Sequence, residues 1–183
     1  PGGTGSSGKR PGNRTPGSDF AEEFKLSDEV VIDIENKMFT HRPDCFGWLG
    51  LSRELAGIQG MKFKSPEWYS AASDTPASEA EQLPLRIKND LPELAPRFTA
   101  ICMTNINVAP SPVWLQVLLA KVGQKSINNI VDLTNYYMLL TGQPLHAYDY
   151  DKVSKLTEAE GAELVIRHPN KGEKIKLLNG KEI

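Results

Sequence analysis

The sequence predicts an α+β fold: a small strand-helix unit followed by a mixed β-sheet domain partly covered by helices. Three observations carry this. Apolar residues recur at helical spacing in "CFGWLGLSRELAGIQG" and "SINNIVDLTNYYMLLTG", they alternate with polar ones in "LRIK" and "RFTAICMTNINV", and these patterns are interleaved along the chain. Composition agrees, with 39% hydrophobic and 24% charged residues.

The first 19 residues, "PGGTGSSGKRPGNRTPGSD", hold no large apolar side chain. They cannot bury enough surface to offset ordering entropy, and are expected as a flexible arm or expression remnant. Residues 20–69 form the small unit. Val30 to Ile34 is a β-branched run suited to a strand. Asp44 is placed to cap a helix that carries Phe46, Leu49, Leu51, Leu55 and Ile58 and stops at Gly60. Residues 70–82, "SAASDTPASEAEQ" from Ser70, are small, polar and aperiodic, as in a linker.

The domain at 83–183 opens on a strand with Leu85 and Ile87 against Arg86 and Lys88. A second strand is expected over Arg97 to Val108, apolar on both faces and therefore interior. Ser111 as cap, Pro112 at the first turn and Gly123 beyond the end predict a helix between them. The next helix is expected from Ile127 to Thr141, capped by Ser126 and stopped by Gly142, with Ile127, Ile130, Val131, Thr134 and Met138 buried. "AELVIRHP" and "EKIKLL" read as strands, and Asn179-Gly180 as a tight turn. The chain ends where a further strand would begin, as if truncated in mid-domain.

Charge narrows the function classes. Twenty-one basic against 23 acidic residues give −2, which supplies no general field for nucleic acid, so any RNA contact must be local. Cys45 and Cys102 form no C-x-x-C pair and are expected as reduced, structural thiols of a cytoplasmic protein. No apolar run approaches the roughly 20 residues that span a bilayer, so no membrane partner is expected. "GTGSSGK" does not match a phosphate-binding loop, and there is no G-x-S-x-G or H-E-x-x-H.

One polar feature stands out. Asn128, Asp132 and Asn135 are spaced i, i+4, i+7 and share one helix face. Such a row either caps neighbouring loops and faces solvent, or forms a pocket wall of donors and acceptors. His146 follows the rigid turn "GQPL", so its imidazole is aimed by fixed backbone, although a lone histidine is commonly a structural hydrogen-bonder. Spacing alone leaves both readings open.

Two stretches carry a family resemblance. "VIDIENKMFTHRPDCFGWLGLSREL" resembles the strand, "NRPD" turn and helix of the bacterial phenylalanyl-tRNA synthetase beta subunit, and "SPVWLQVLLAKVGQKSINNIVDLTNYYMLLTGQPLHAYD" resembles that subunit's editing module. The resemblance implies a complete protein that joins an alpha subunit in an (αβ)₂ heterotetramer and charges tRNA(Phe). ATP and Mg²⁺ serve that reaction in the alpha subunit, and no cofactor is expected in this region. It implies further that this region hydrolyses mischarged tyrosyl-tRNA. His146 and Asn135 are then the catalytic groups near the ester and the terminal adenosine. Lys125, Asn128 and Asp132 fall to substrate or tRNA contact, while Asn128, Asn129, Asp132 and Thr134 shape the helix and its hydrogen bonds. The sequence departs from the family's pattern at Lys125, where arginine is usual, and at His41, where asparagine is usual. It also ends before a downstream carboxylate and Gly-rich segment that completes the family's editing pocket. The competing reading is a non-catalytic module that binds RNA or assembles subunits, with "HRPDCFGWLGLSREL" as an interface helix.

Overall fold

The computed structural model describes residues 17–23, 30–35, 37–70, 83–157, 160–177 and 180–183. The chain forms two compact units that do not follow chain order. One is Pro1–Phe63 with Val108–Leu145, the other Lys64–Asn107 with His146–Ile183. The stretch expected as one domain from 83 to 183 therefore contributes to both, because its longest helix packs with the residues before 64 and carries the helix before it along. Most of the expected arm, residues 1–16, and all but the first residue of the expected linker lie outside the described residues.

In the first unit, a short helix α1 (Phe20–Glu23) is started by Asp19, whose carboxylate accepts from the N–H groups of Ala21 and Glu22 at 2.7 and 3.1 Å. The strand expected at Val30 to Ile34 is not formed. Val30, Val31 and Ile32 are 83%, 61% and 75% exposed, and among the described residues no backbone pairs with them. A β-branched run fits a pleated, half-buried surface, and without a neighbouring strand the preference has nothing to act on.

Two 3₁₀ turns, Lys37–His41 and Pro43–Phe46, lead into α2 (Trp48–Ile58). Asp44 is not the cap of this helix. It lies inside the second turn, where its carboxylate takes a two-point fork from Arg42 (Nε and Nη2, both 2.9 Å), and Gly47 occupies the cap. The third Arg42 nitrogen reaches Glu54 on α2 at 3.0 Å, and Arg42 holds the Asp44 carboxyl below its usual range. The "RPD" stretch thus braces its own turn against the helix that follows.

Helix α4 (Val113–Lys121) buries Leu115 and Leu119, one turn apart, and packs on α5 (Asn129–Thr141). Trp114, half-exposed, meets Tyr136 of α5 edge-on at 5.7 Å. Gly123 and Gly142, at φ +75° and +77°, end the two helices as the sequence predicts. The starts differ from expectation. Pro112 rather than Ser111 caps α4, and Asn128 rather than Ser126 caps α5, because both serine hydroxyls are engaged elsewhere. Ile127 therefore precedes the helix and is 65% exposed instead of buried.

The C-terminus of α5 meets the N-terminus of α2 backbone to backbone. A Cβ on Gly47 would overlap the Gly142 amide, one on Gly142 would overlap the Pro43 carbonyl, and one on Gly50 would overlap the Asp44 carbonyl. Only glycine permits this approach.

The second unit holds α3 (Glu67–Ser70) and a two-stranded parallel sheet. Strand β1 (Leu85–Asn89) pairs with β2 (Ala162–Ile166) in the register Leu85 to Ala162 through Asn89 to Ile166. Helix α6 (Tyr150–Ser154) packs on β2, and its Tyr150 hydroxyl donates to the Pro84 carbonyl at 2.8 Å. Arg97 to Val108, expected as an interior strand, forms no strand among the described residues. Asn105 at φ +58° breaks the extended run, and Ile101 and Met103 are 78% and 64% exposed. Near the end, Ile175 and Ile183 exchange backbone hydrogen bonds at 2.9 and 3.0 Å around a turn at Gly180, an antiparallel ladder too short to count as the expected strand. Among the described residues, no helix is long and apolar enough to cross a membrane.

Two alanine substitutions within α2 separate close approach from intrinsic propensity. Gly50→Ala is expected to destabilise by about 3 kcal/mol, since a rigid backbone carbonyl must move. Gly57→Ala, where a Cβ meets nothing within 4 Å, is expected to stabilise by about 0.5 to 1 kcal/mol. Urea unfolding of the two variants checks both signs.

Candidate functional site

The polar row on α5 divides in the structure. Asn128 is the helix cap: its side-chain oxygen accepts from the N–H groups of Ile130 and Val131 at 3.1 and 3.0 Å. Asn129 pins the approach to α4, donating its N–H to the Ala109 carbonyl at 2.9 Å and accepting from the Ala109 N–H at 3.1 Å. Asp132 is fully buried. Its carboxylate accepts from the Ser111 hydroxyl, from the Ser126 hydroxyl at 2.6 Å and from the Ile127 N–H at 2.8 Å. Burial pushes this carboxyl up, but the hydrogen bonds from Ser111, Ser126, Ile127 and Asn128 outweigh it and hold the group below the usual aspartate range. The N-terminal end of α5 favours the same negative charge.

Asn128 and Asp132 are thus engaged by the scaffold, together with Asn129 and with Thr134, whose hydroxyl donates to the Val131 carbonyl at 2.7 Å. Ser111 and Ser126 were missed as members of this cluster. They lie 21 and six residues before Asp132, and no helical or strand period links such positions. The available signal was the presence of an acid in the first turn of an apolar helix, which must find donors if buried.

The remaining residues are placed differently. Asn135 lies mid-helix in the first unit, half-buried, and its amide has no protein hydrogen-bond partner among the described residues. Lys125 is exposed in the short loop that Ser126 and Ile127 tie to Asp132. His146 belongs to the second unit, exposed on an irregular stretch, with its ring 4.5 Å from that of Tyr148. Asp149, three residues on, caps α6 by accepting from the Lys152 N–H at 3.1 Å, which fixes the end of that stretch. Among the described residues, no group of three His, Cys, Asp or Glu side chains could hold a metal ion.

Comparison with known proteins gives this arrangement a family. Residues 94–183 match the B3/4 domain family. This later part of the chain is thus similar to B3/4 domains. Over 174 residues, 94% of the chain, the sequence is 36% identical to the phenylalanine-tRNA ligase beta subunit of Moorella thermoacetica, covering 20% of that protein. The corresponding subunit of Carboxydothermus hydrogenoformans is 37% identical over 91% of the chain, with 19% of the relative covered. That of Desulfotalea psychrophila is 40% identical over 86%, with 17% covered. The chain belongs to the phenylalanine-tRNA ligase beta subunit family, and it spans about a fifth of the length of the curated relatives it matches.

Asp132→Ala strands up to four donors and is expected to cost about 3 kcal/mol of unfolding free energy. The depressed carboxyl contributes stability that is complete above the unfolded-state aspartate value near 3.8 and is lost as pH falls from there toward the lower folded-state value. Urea midpoints measured from neutral pH down into this window should fall less steeply for Asp132→Asn than for the parent chain.

Proposed function

We propose that this region serves the hydrolytic editing reaction of a phenylalanine-tRNA ligase, releasing tyrosine from mischarged tRNA(Phe). The complete beta subunit works with an alpha subunit in an (αβ)₂ assembly in the cytoplasm, and aminoacylation with ATP and Mg²⁺ is the alpha subunit's task. The observation that carries the reading is the division of polar side chains within a segment similar to ligase beta subunits: Asn128, Asn129 and Asp132 build the scaffold, whereas Asn135, Lys125 and His146 have no such engagement.

The chemistry has a physical motive. A pocket shaped for phenylalanine rejects tyrosine weakly, because an added hydroxyl costs an apolar pocket little, while a second site that hydrogen-bonds the hydroxyl selects for it. Hydrolysis adds water to the ester carbonyl, breaks the carbonyl–ribose oxygen bond, and returns a proton to the ribose oxygen. It needs positioned polar groups rather than a covalent nucleophile. A neutral imidazole offers one donor and one acceptor, which suits His146 to orient the attacking water. Asn135 supplies an amide for the substrate's polar edge. Lys125 brings a positive charge suited to tRNA phosphate, though without the planar fork of arginine.

The non-catalytic reading is favoured by a different observation. Trp48, Leu55 and Ile58 of α2 are 64%, 48% and 74% exposed, as on a helix that meets a partner. In a complete ligase, His146→Ala is expected to lower tyrosyl-tRNA hydrolysis about a hundredfold and leave phenylalanine charging intact. Unchanged hydrolysis by a folded variant would overturn the catalytic role and favour the assembly module.

A further inference from the structure

We propose that Tyr148 is the positioning residue for His146, its ring setting the direction from which the imidazole meets water and ester. The inference rests on the role given to His146 above. An exposed imidazole on irregular backbone spreads over several rotamers, and that freedom opposes any directed hydrogen bond. Here the ring has a neighbour. The centroids of His146 and Tyr148 are 4.5 Å apart with planes tilted by 59°, while both side chains remain open to solvent.

The backbone explains why the two meet. Residues 143–149 carry no helix, and positions two apart on an extended chain project to the same side. Pro144 fixes φ at the start of the stretch. At its end, Asp149 caps α6, Lys152 Nζ stands 3.3 Å from the Asp149 carboxylate, and Tyr150 is tied to the Pro84 carbonyl at 2.8 Å. Tyr148 is therefore held one residue before a helix that packs on β2. The placement runs from the sheet through α6 to Tyr148, and from its ring to the imidazole. The ring does this work and the phenolic hydroxyl does not, so phenylalanine should substitute and alanine or leucine should not.

Two measurements test this. In the 183-residue chain, whose three histidines are assigned with His146→Ala, the ring proton of His146 is expected at a ring-current-shifted position. Tyr148→Phe should keep that position, and Tyr148→Ala and Tyr148→Leu should abolish it. In a complete ligase, Tyr148→Ala and Tyr148→Leu should lower kcat for tyrosyl-tRNA hydrolysis about tenfold at unchanged KM, with Tyr148→Phe restoring it. Tyr148→Leu preserves bulk, so a folding failure confined to alanine leaves the test intact. An unmoved His146 resonance, or full kcat in Tyr148→Leu while His146→Ala is inactive, overturns the role of Tyr148. Full hydrolysis in His146→Ala instead overturns the editing role of His146 itself.

Discussion

The buried carboxylate of Asp132 sets the geometry of the first unit. A charge removed from water is tolerated only where donors surround it, and here they come from two different places in the chain. Ser111 stands before α4, while Ser126, Ile127 and Asn128 stand between α4 and α5. Satisfying one side chain therefore brings together both approaches to a helical pair whose fully buried apolar residues are Leu115 and Leu119. The exchange between Asn129 and Ala109 repeats the tie two residues before Ser111 and three before Asp132. Polar closure, as much as apolar burial, fixes how α4 lies on α5.

The opposite end of α5 is fixed by a contrasting device. At Gly47, Gly50 and Gly142 the absence of a side chain lets backbone meet backbone, so the 3₁₀ turn at Pro43–Phe46 and the start of α2 close over the helix terminus. The Arg42 fork then holds that turn against Glu54. With hydrogen bonds at one end and close approach at the other, the middle of α5 has little freedom, and Asn135 is carried on that middle.

Elements with a complete local signal were legible in the sequence. α2, α4 and α5 had helical period and a glycine stop, β1 had apolar alternation, and β2 was a short apolar run. Capping was less legible, because a serine or aspartate ahead of a helix is equally suited to a distant partner. Ser111 and Ser126 went to Asp132, and Asp44 went to Arg42. Val30 to Ile34 and Arg97 to Val108 show a second gap: a β-branched run or an alternation states that a segment suits a sheet, but pairing belongs to the neighbour. The candidate site was legible as a set of polar residues on one helix face. Which of them the scaffold uses depended on contacts 20 residues away in sequence.

That division bears on how Lys125 can act. Its neighbours Ser126 and Ile127 are bound to Asp132, so the backbone that carries Lys125 is held although the side chain is free to turn in solvent. An arginine there would bring a planar fork suited to one phosphate geometry, whereas lysine brings a compact charge on a flexible stem. In the proposed contact with phosphate, a fixed base with a mobile charge would tolerate variation in the anion's position and discriminate less between orientations. Asn135 and His146 differ in the same terms: the amide is carried by a helix secured at both ends, and the imidazole by a stretch held between Pro144 and the cap of α6. Beside that stretch the ring of Tyr148 is the contact the structure gives His146, and the proposed positioning role rests on it.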